Sequence, residues 1–323
     1  MHDKEIPSVD ICMPVWNRAR ILLGVLEALY MLDYPKDKIR LIFIDDGSTD
    51  ETPSVLENFR KEHINEYYEI IIERVDHLSF NIPRVRNLAL KHVKSDLVFW
   101  LDSDVIPQPD TLKVLVYELM SNKNNVASCI PYAYKKEDLE KKLLPIDVDF
   151  SLGCTLIRKD FLRKIGGFDE RYSGTDDLWL SQLIKKSGLK IKIHKGKRCL
   201  HLSSLKYHKV LLSKFTEQSK SLVLLMADGL WDFSLYRRHF YYGILLLSFI
   251  LSFLFPSVFL TVLMVLIIIG IIWHRNLVRF AFVMPIGLLT TLGIFFALLN
   301  PKVWKLIKKG PVKDHAPKWN MGE

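Results

Sequence analysis

Two carboxylates one residue apart, Asp102 and Asp104, stand in the run VFWLDSDVIPQPD at residues 98–110. In an extended chain alternate side chains share a face, so these two can address one ion while Ser103 points away. Mg²⁺ or Mn²⁺ takes oxygen ligands, commonly one or two carboxylates with substrate phosphates completing the shell. The same pattern also serves as an acidic turn at a strand end, here ahead of Pro107 and Pro109. The pair gains chemical meaning only if other polar groups reach the same place.

The elements that must deliver those groups are written in the hydrophobic pattern. SVDICMP precedes RILLGVLEALYML, IRLIFIDD precedes ETPSVLENFRKEH, YYEIIIERV precedes IPRVRNLALKHV, and DLVFWLD precedes PDTLKVLVYELM. Strand-like runs alternating with helical ones predict βαβ units, an α/β fold whose mainly parallel sheet is covered by helices on both faces. In such sheets the functional polar residues stand beyond the carboxyl ends of the strands. Those ends carry Asn17, Asp45 with Asp46, and Asp102 with Asp104. Past residue 125 the pattern loosens: NVASCIPYAY reads as a strand, KKEDLEKK as a solvated charged stretch, and DVDFSLGCTLIRK as a strand entering a short helix at Phe161. A helix follows from Thr175 to Lys186, with Asp176 and Asp177 in its first turn, where the helix dipole favours carboxylates whatever else they do.

The 323 residues allow one large domain with an appendage, or two domains. Charges mix with short apolar runs over residues 1–204, whereas 240–299 is almost wholly apolar. The net charge is +9, with the excess in residues 185–220 and at Lys302, Lys305, Lys308 and Lys309. Basic residues beside apolar spans suit anionic lipid headgroups. No aromatic-interleaved basic stripe supports nucleic-acid binding. Cys12, Cys129, Cys154 and Cys199 form no C-x-x-C pair, and buried free thiols in a reducing cytosol are the expectation. The N-terminus MHDKEIPSVD has no apolar signal-peptide core, so the charged half is expected to stay cytoplasmic.

The segments ICMPVWNR, IDDGSTDET, PRVRN, LDSDV and GGFDERYSGTDDLWL, in this order and spacing, resemble a family 2 glycosyltransferase with the GT-A fold over about residues 7–202. The resemblance implies a nucleotide-sugar donor, UDP- or GDP-linked, and a divalent cation, Mg²⁺ or Mn²⁺. It places Pro14, Trp16 and Asn17 on the first nucleotide-binding loop, with Trp16 where family members usually have Tyr. Of Asp45 and Asp46, one would contact the base or ribose. Gly47 then allows a tight turn, and Ser48 and Asp50 suit capping of the next helix. Arg86 and Asn87 match the segment whose Arg lies near the donor, although Arg86 also fits the solvated face of an amphipathic helix. Asn81 stands where Gly is frequent, which allows a left-handed conformation there.

By the same resemblance Asp102 and Asp104 hold the metal and the donor diphosphate, Asp177 is the general base of an inverting transfer, and Asp176 takes the place of a usual Glu. His201, in KRCLHLSS, is either a further metal ligand or a residue facing lipid headgroups. The Q-x-x-R-W segment of processive synthases is not matched by Gln218-Ser219-Lys220-Ser221-Leu222, which favours transfer of a single sugar. Two other readings remain. A nucleotidyltransferase of similar fold would need a Gly-rich L-x-G-G-x-G-T-R-L loop that ICMPVWNR does not provide, and a non-catalytic membrane scaffold or partner-binding subunit would not need the acidic set.

The implied catalytic domain spans 1–204, followed by amphipathic interfacial helices at 205–238, a transmembrane region at 239–300 and a basic tail at 301–323. Residues 240–255 and 257–273 would each measure about 24–26 Å as helices, and as one helix about 50 Å, so a hairpin at Pro256 is preferred. Residues 277–299 either cross, placing PKVWKLIKKG outside against the positive-inside tendency, or re-enter around Pro285 and Gly287. Two or three spans fit. The expectation is a multi-pass cell-membrane protein, cytoplasmic in its catalytic half, in contact with membrane lipids and acting on a lipid or lipid-linked acceptor.

Overall fold

The computed structural model describes residues 6–78, 81–139, 150–202, 212–252, 256–274 and 277–310. The chain divides between residues 204 and 205 into two compact units. In the first unit β1 (Val9–Val15), α1 (Ala19–Tyr30), β2 (Ile39–Asp45), α2 (Thr52–His63), β3 (Glu69–Arg74), α3 (Ile82–Leu90) and β4 (Leu97–Leu101) follow one another. Then come β5 (Val105–Ile106), α4 (Thr111–Met120), β6 (Asn125–Cys129), β7 (Tyr132–Ala133), β8 (Cys154–Arg158), α5 (Lys159–Ile165), α6 (Asp176–Lys186), β9 (Lys190–Ile193) and β10 (Cys199–His201).

A sheet of seven strands has the order β3-β2-β1-β4-β8-β6-β9. Its first four strands are parallel, as the pattern predicts, with Val9 beside both Ile39 and Leu97. Every residue of β1, β2 and β4 is buried, which is why these strands read as continuous apolar runs rather than as an alternation. β8 runs antiparallel to β4 and β6, a direction that its apolar pattern alone does not encode. A second sheet, β5-β10-β7, sets His201 opposite Val105.

At the amino ends of the parallel strands a buried carboxylate ties three of them together. Asp10, fully buried, accepts hydrogen bonds from Arg40 Nη1 at 2.8 Å, the Ser95 hydroxyl at 2.7 Å, and the backbone N–H groups of Lys94 at 2.6 Å and Ser95 at 2.8 Å. Arg40 Nε donates onward to Glu69 on β3 at 2.7 Å. A one-residue slip would turn each strand's side chains to the other face, and this network holds β1, β2 and the turn into β4 in one register.

The second unit contains α7 (Ser219–Ala227) behind a π-helical turn at Lys214–Gln218, then α8 (Phe233–Ser252), α9 (Pro256–His274), α10 (Leu277–Leu299) and α11 (Pro301–Lys309). Pro256 opens α9, a position that suits its missing N–H, and α8 and α9 pack on each other as the hairpin expectation requires. Pro285 lies inside α10, which continues through it to Leu299, whereas one of the two alternatives puts a re-entrant turn around Pro285 and Gly287. Small residues let these helices approach closely: a Cβ on Gly287 would fall 2.1 Å from the Tyr242 ring, and one on Gly293 would fall 2.3 Å from Ser219 Oγ.

Residues 219–227 lie within the stretch expected to be interfacial. Ser219 and Ser221 to Leu225 are buried, because SLVLL is apolar around most of the helix rather than along one stripe. The amphipathic helix is α11: Val303 is buried while Lys302, Lys305, Lys308 and Lys309 are exposed. Among the described residues no single helix is long and apolar enough to cross a membrane. Met284–Leu299 and Pro301–Lys309, bent by 74°, meet that test of length and composition only as a pair.

Breaking a buried, hydrogen-bonded ion pair typically costs about 3–5 kcal/mol. Asp10→Ala, which leaves Arg40 buried with one partner fewer, should lower stability by about that amount, seen as a lower urea midpoint for the first unit.

Candidate active site

The carboxyl ends of β1 and β2 are joined by their loops. Asn17 takes a left-handed conformation with φ of 49°, which Asn tolerates better than most residues. Its Oδ1 accepts from Thr49 N at 2.8 Å and its N–H donates to Ser48 Oγ at 2.9 Å. Arg18 N donates to Thr52 Oγ1 at 2.8 Å, and Ala19 N to Asp50 Oδ2 at 3.1 Å. Asp50 also accepts from Thr52 N at 3.0 Å, satisfying the first N–H of α2 from one residue before the N-cap position, which Glu51 holds without a side-chain bond. Ser48 does not cap: its hydroxyl is taken by the neighbouring loop, which competes for the same lone pairs. Pro14 lies buried in β1, past Cys12, where the pairing to β4 ends and its missing N–H leaves no gap in that ladder.

One polar cluster forms around Asp45 and Asp46, which are 1% and 6% exposed. Asp45 Oδ1 accepts from Ser48 N at 3.0 Å, and its Oδ2 lies 3.5 Å from Arg74 Nε. Asp46 pairs with His77 Nδ1 at 2.7 Å and with Arg84 Nη1 at 3.3 Å. The His77 ring stacks on Trp16, with centroids 4.5 Å apart and planes within 5°. Gly47 has φ of 70°, and a Cβ there would fall 2.6 Å from His77 N, so glycine is required on both counts. Arg74, His77 and Arg84 are absent from the sequence-derived set. Arg74 and His77 carry no local signature and only tertiary contact marks them, while Arg84 lies inside PRVRN with no role of its own in the motif reading.

A second cluster gathers Arg86, Asp102, Asp104, Asp176 and His201. Arg86 is 3% exposed, which excludes the solvated-face reading. Its Nη2 donates to Asp102 Oδ1 and its Nε to Asp176 Oδ2, both at 3.0 Å. Trp100 and Phe168 rings lie 5.2 and 5.9 Å from the guanidinium carbon. Asp102 N donates to Gly153 O at 3.0 Å, and the Tyr132 hydroxyl, its proton held more tightly by burial and by Asp102, reaches Asp102 Oδ2 at 3.5 Å. Gly153 makes this approach possible, since a Cβ there would lie 2.0 Å from Asp102 Oδ2.

Asp104, 7% exposed, receives Arg18 Nη2 on Oδ2 at 3.1 Å and has His201 Nε2 3.8 Å from Oδ1. The pairing of β10 with β5 therefore brings His201 to the acidic pair, with Tyr132 and Tyr134 rings 4.8 and 5.4 Å away. Asn87 has a different task from the one expected at the donor. Its Nδ2 donates to Phe168 O and its Oδ1 accepts from Phe168 N, both at 2.8 Å, so its amide holds the segment leading to α6. Asn81, where a left-handed conformation is allowed, instead has φ of −141° and caps α3 by accepting from Arg84 N at 3.2 Å. Asp177 begins α6 beside Asp176, half-buried, with Oδ1 accepting from Leu178 N at 2.7 Å.

Among the described residues no three His, Cys, Asp or Glu side chains are grouped closely enough to hold a metal by themselves. Asp104 and His201 stand 3.8 Å apart while Asp102 is engaged by Arg86 and Tyr132, so a divalent cation here would need further oxygen donors, such as a phosphate, to complete its shell. The carboxyl of Asp176 is raised above its ordinary value by burial, an effect that Arg86 opposes and Asp102 reinforces.

The sequence model described as Glycosyl transferase family 2 matches residues 10–181. Among curated proteins, the probable glycosyltransferase YdaM of Bacillus subtilis is 21% identical over 195 residues, covering 54% of this chain and 46% of YdaM. The poly(ribitol-phosphate) beta-N-acetylglucosaminyltransferase TarS of Staphylococcus aureus is 27% identical over 104 residues, 32% of this chain and 17% of TarS. This chain thus spans less than half of either relative's length. Among solved structures, the mannosyltransferase PcManGT from Pyrobaculum calidifontis, in complex with GDP-Man and Mn²⁺, superposes with a TM-score of 0.55 at 21% identity, over 67% of this chain and 63% of that one. TarS residues 1–349 in complex with UDP gives 0.50 at 18% identity, over 64% of each chain. At these identities the likeness is one of fold.

Asp176 binds its proton more tightly in the folded protein than in the unfolded chain, so its contribution to stability falls as pH rises through the window above 3.8 and levels off once the buried carboxyl has ionised. Urea unfolding of wild type and Asp176→Asn as a function of pH should show their stability difference shrinking across that window, then becoming flat.

Proposed function

The chain belongs to glycosyl transferase family 2, and on that premise we propose that it transfers a single sugar, with inversion, from a nucleotide-linked donor to a lipid-linked acceptor. The observation that carries this reading is Arg86, which bonds at once to Asp102 of the acidic pair and to Asp176 beside Asp177. A group suited to the donor diphosphate and a group suited to the acceptor are thereby held in one place.

In this reading Trp16, His77, Asp45 and Asp46 receive the base and ribose, while Asn17 shapes the loop beneath them. A divalent cation, Mg²⁺ or Mn²⁺, bound by Asp102, Asp104 and His201, would supply Lewis-acid neutralisation of the departing diphosphate. Asp177 takes the proton from the acceptor hydroxyl as that oxygen bonds to the anomeric carbon, and the carbon–oxygen bond to the diphosphate breaks with its electron pair leaving on the phosphate. Attack opposite the leaving group inverts the anomeric centre. The GDP-Man and Mn²⁺ held by PcManGT, and the UDP held by TarS, support both a nucleotide-diphosphate donor and the cation.

The second unit favours action at a membrane. Its long helices are apolar and closely packed at small residues, and α11 turns a face of lysines outward at the end of α10. We assign it as the anchor of a multi-pass cell-membrane protein, crossing two or three times, with the family 2 unit cytoplasmic. Thiol labelling of a cysteine introduced after Gly310, with membranes sealed, should report whether the C-terminus shares that side.

Turnover assays with UDP- and GDP-sugars and extracted membrane lipids should find one donor used. Asp177→Asn should lose about 10²–10⁴-fold in turnover while keeping donor affinity. Near-normal turnover would remove Asp177 as base and point to a lipid phosphate, already anionic, as acceptor. Calorimetry showing no nucleotide-sugar binding with either cation would favour the scaffold reading.

A further inference from the structure

Arg18 closes the segment ICMPVWNR without a role of its own in the motif reading, yet it contacts the acidic pair directly. Its backbone is fixed where the β1 and β2 loops meet, through the bond from its N–H to Thr52 Oγ1 at 2.8 Å. Its side chain crosses to Asp104, Nη2 to Oδ2 at 3.1 Å, and is 37% exposed where the side chain of Asp104 is 9% exposed. The guanidinium is incompletely satisfied: Nε is buried and has no hydrogen-bond partner among the described residues. Buried donors are nearly always paired, and one that is not calls for an explanation.

Asp104 cannot serve Arg18 and a divalent cation equally. Arginine has no lone pair to offer a metal, and its fixed positive charge repels one. His201, on the other oxygen of Asp104 at 3.8 Å, can join a metal shell, but Arg18 can only make way. The side chain that makes way is a planar fork whose geometry matches phosphate oxygens and which has a spare N–H.

We propose that Arg18 is an exchange residue: it pairs with Asp104 until a divalent cation takes that carboxylate, and then passes to the diphosphate of the donor. This rests on the nucleotide-sugar reading above. Arg18 thus opposes binding of the cation by itself and favours binding of cation and nucleoside diphosphate together, so each raises the affinity of the other. When the sugar leaves, the same guanidinium stands beside the charge that develops on the diphosphate.

Titration of the full-length protein in detergent, with free Mn²⁺ read by electron paramagnetic resonance, tests the exchange. Mn²⁺ is added alone and with UDP or GDP. Arg18→Met should bind Mn²⁺ alone about tenfold more tightly, and the nucleoside diphosphate with Mn²⁺ about tenfold more weakly. A variant merely damaged in structure would lose both affinities, so the opposite signs carry the result. Arg18→Lys keeps a positive charge beside Asp104 but loses the fork, and should weaken the diphosphate without tightening Mn²⁺. Unchanged or weakened Mn²⁺ binding in Arg18→Met, or unchanged diphosphate binding in both variants, overturns the exchange while leaving the donor reading intact. Wild type that binds neither UDP nor GDP with Mn²⁺ overturns the donor reading and the exchange with it.

Discussion

A guanidinium buried between two carboxylates imposes the strictest requirement on this fold. Burying Arg86 carries a desolvation penalty of several kcal/mol that is offset only by close, well-directed partners. Asp102 and Asp176 are those partners, and Trp100 and Phe168 close around them. Helix α3, the end of β4 and the start of α6 must therefore meet at one point. Displacing any of them leaves charge uncompensated in a low-dielectric setting, where such charge is most unfavourable. The pin that holds the site together is thus also a condition for folding the unit.

The rest of the first unit works to hold that point in register. Asp10 and Arg40 lock the amino ends of the parallel strands, and Asn17, Ser48 and Asp50 join the loops at the carboxyl ends. Asn87 fastens the segment before α6 through Phe168, and Gly153 lets β8 pass against Asp102. Few of these groups are placed to touch a ligand. They determine where the groups that do so can stand, within the fractions of an ångström that polar chemistry demands.

The two units are built on different principles. The first buries a mixed polar and apolar core in which each buried charge has an identifiable partner. The second packs apolar side chains around Tyr241, Tyr242 and Leu245 and brings helices close at glycine and serine, with Ser219 Oγ donating to Thr290 O at 2.9 Å. Its exposed lysines on α11 flank an apolar stripe on which Val303 is buried.

The sequence by itself determined the parallel half of the sheet, because strands buried on both faces must be written as unbroken apolar runs and their crossover helices as amphipathic ones. It also determined which carboxylates end those strands, since Asp45, Asp46, Asp102 and Asp104 follow the last apolar residue of each. Tertiary structure alone decided what those carboxylates face. His201 meets Asp104 through a pairing of two very short strands, and Arg18 and His77 from loops, Arg74 from the end of β3 and Arg84 from α3 reach the acids at positions that no local pattern marks. The same holds for the roles that changed, as Ser48 left the cap of α2 for Asn17 and Asn87 turned to Phe168. Local pattern encodes period, burial and turns, because those depend on neighbours in the chain. Which polar side chain finds which partner depends on distances between remote segments, and these exist only once the chain has packed.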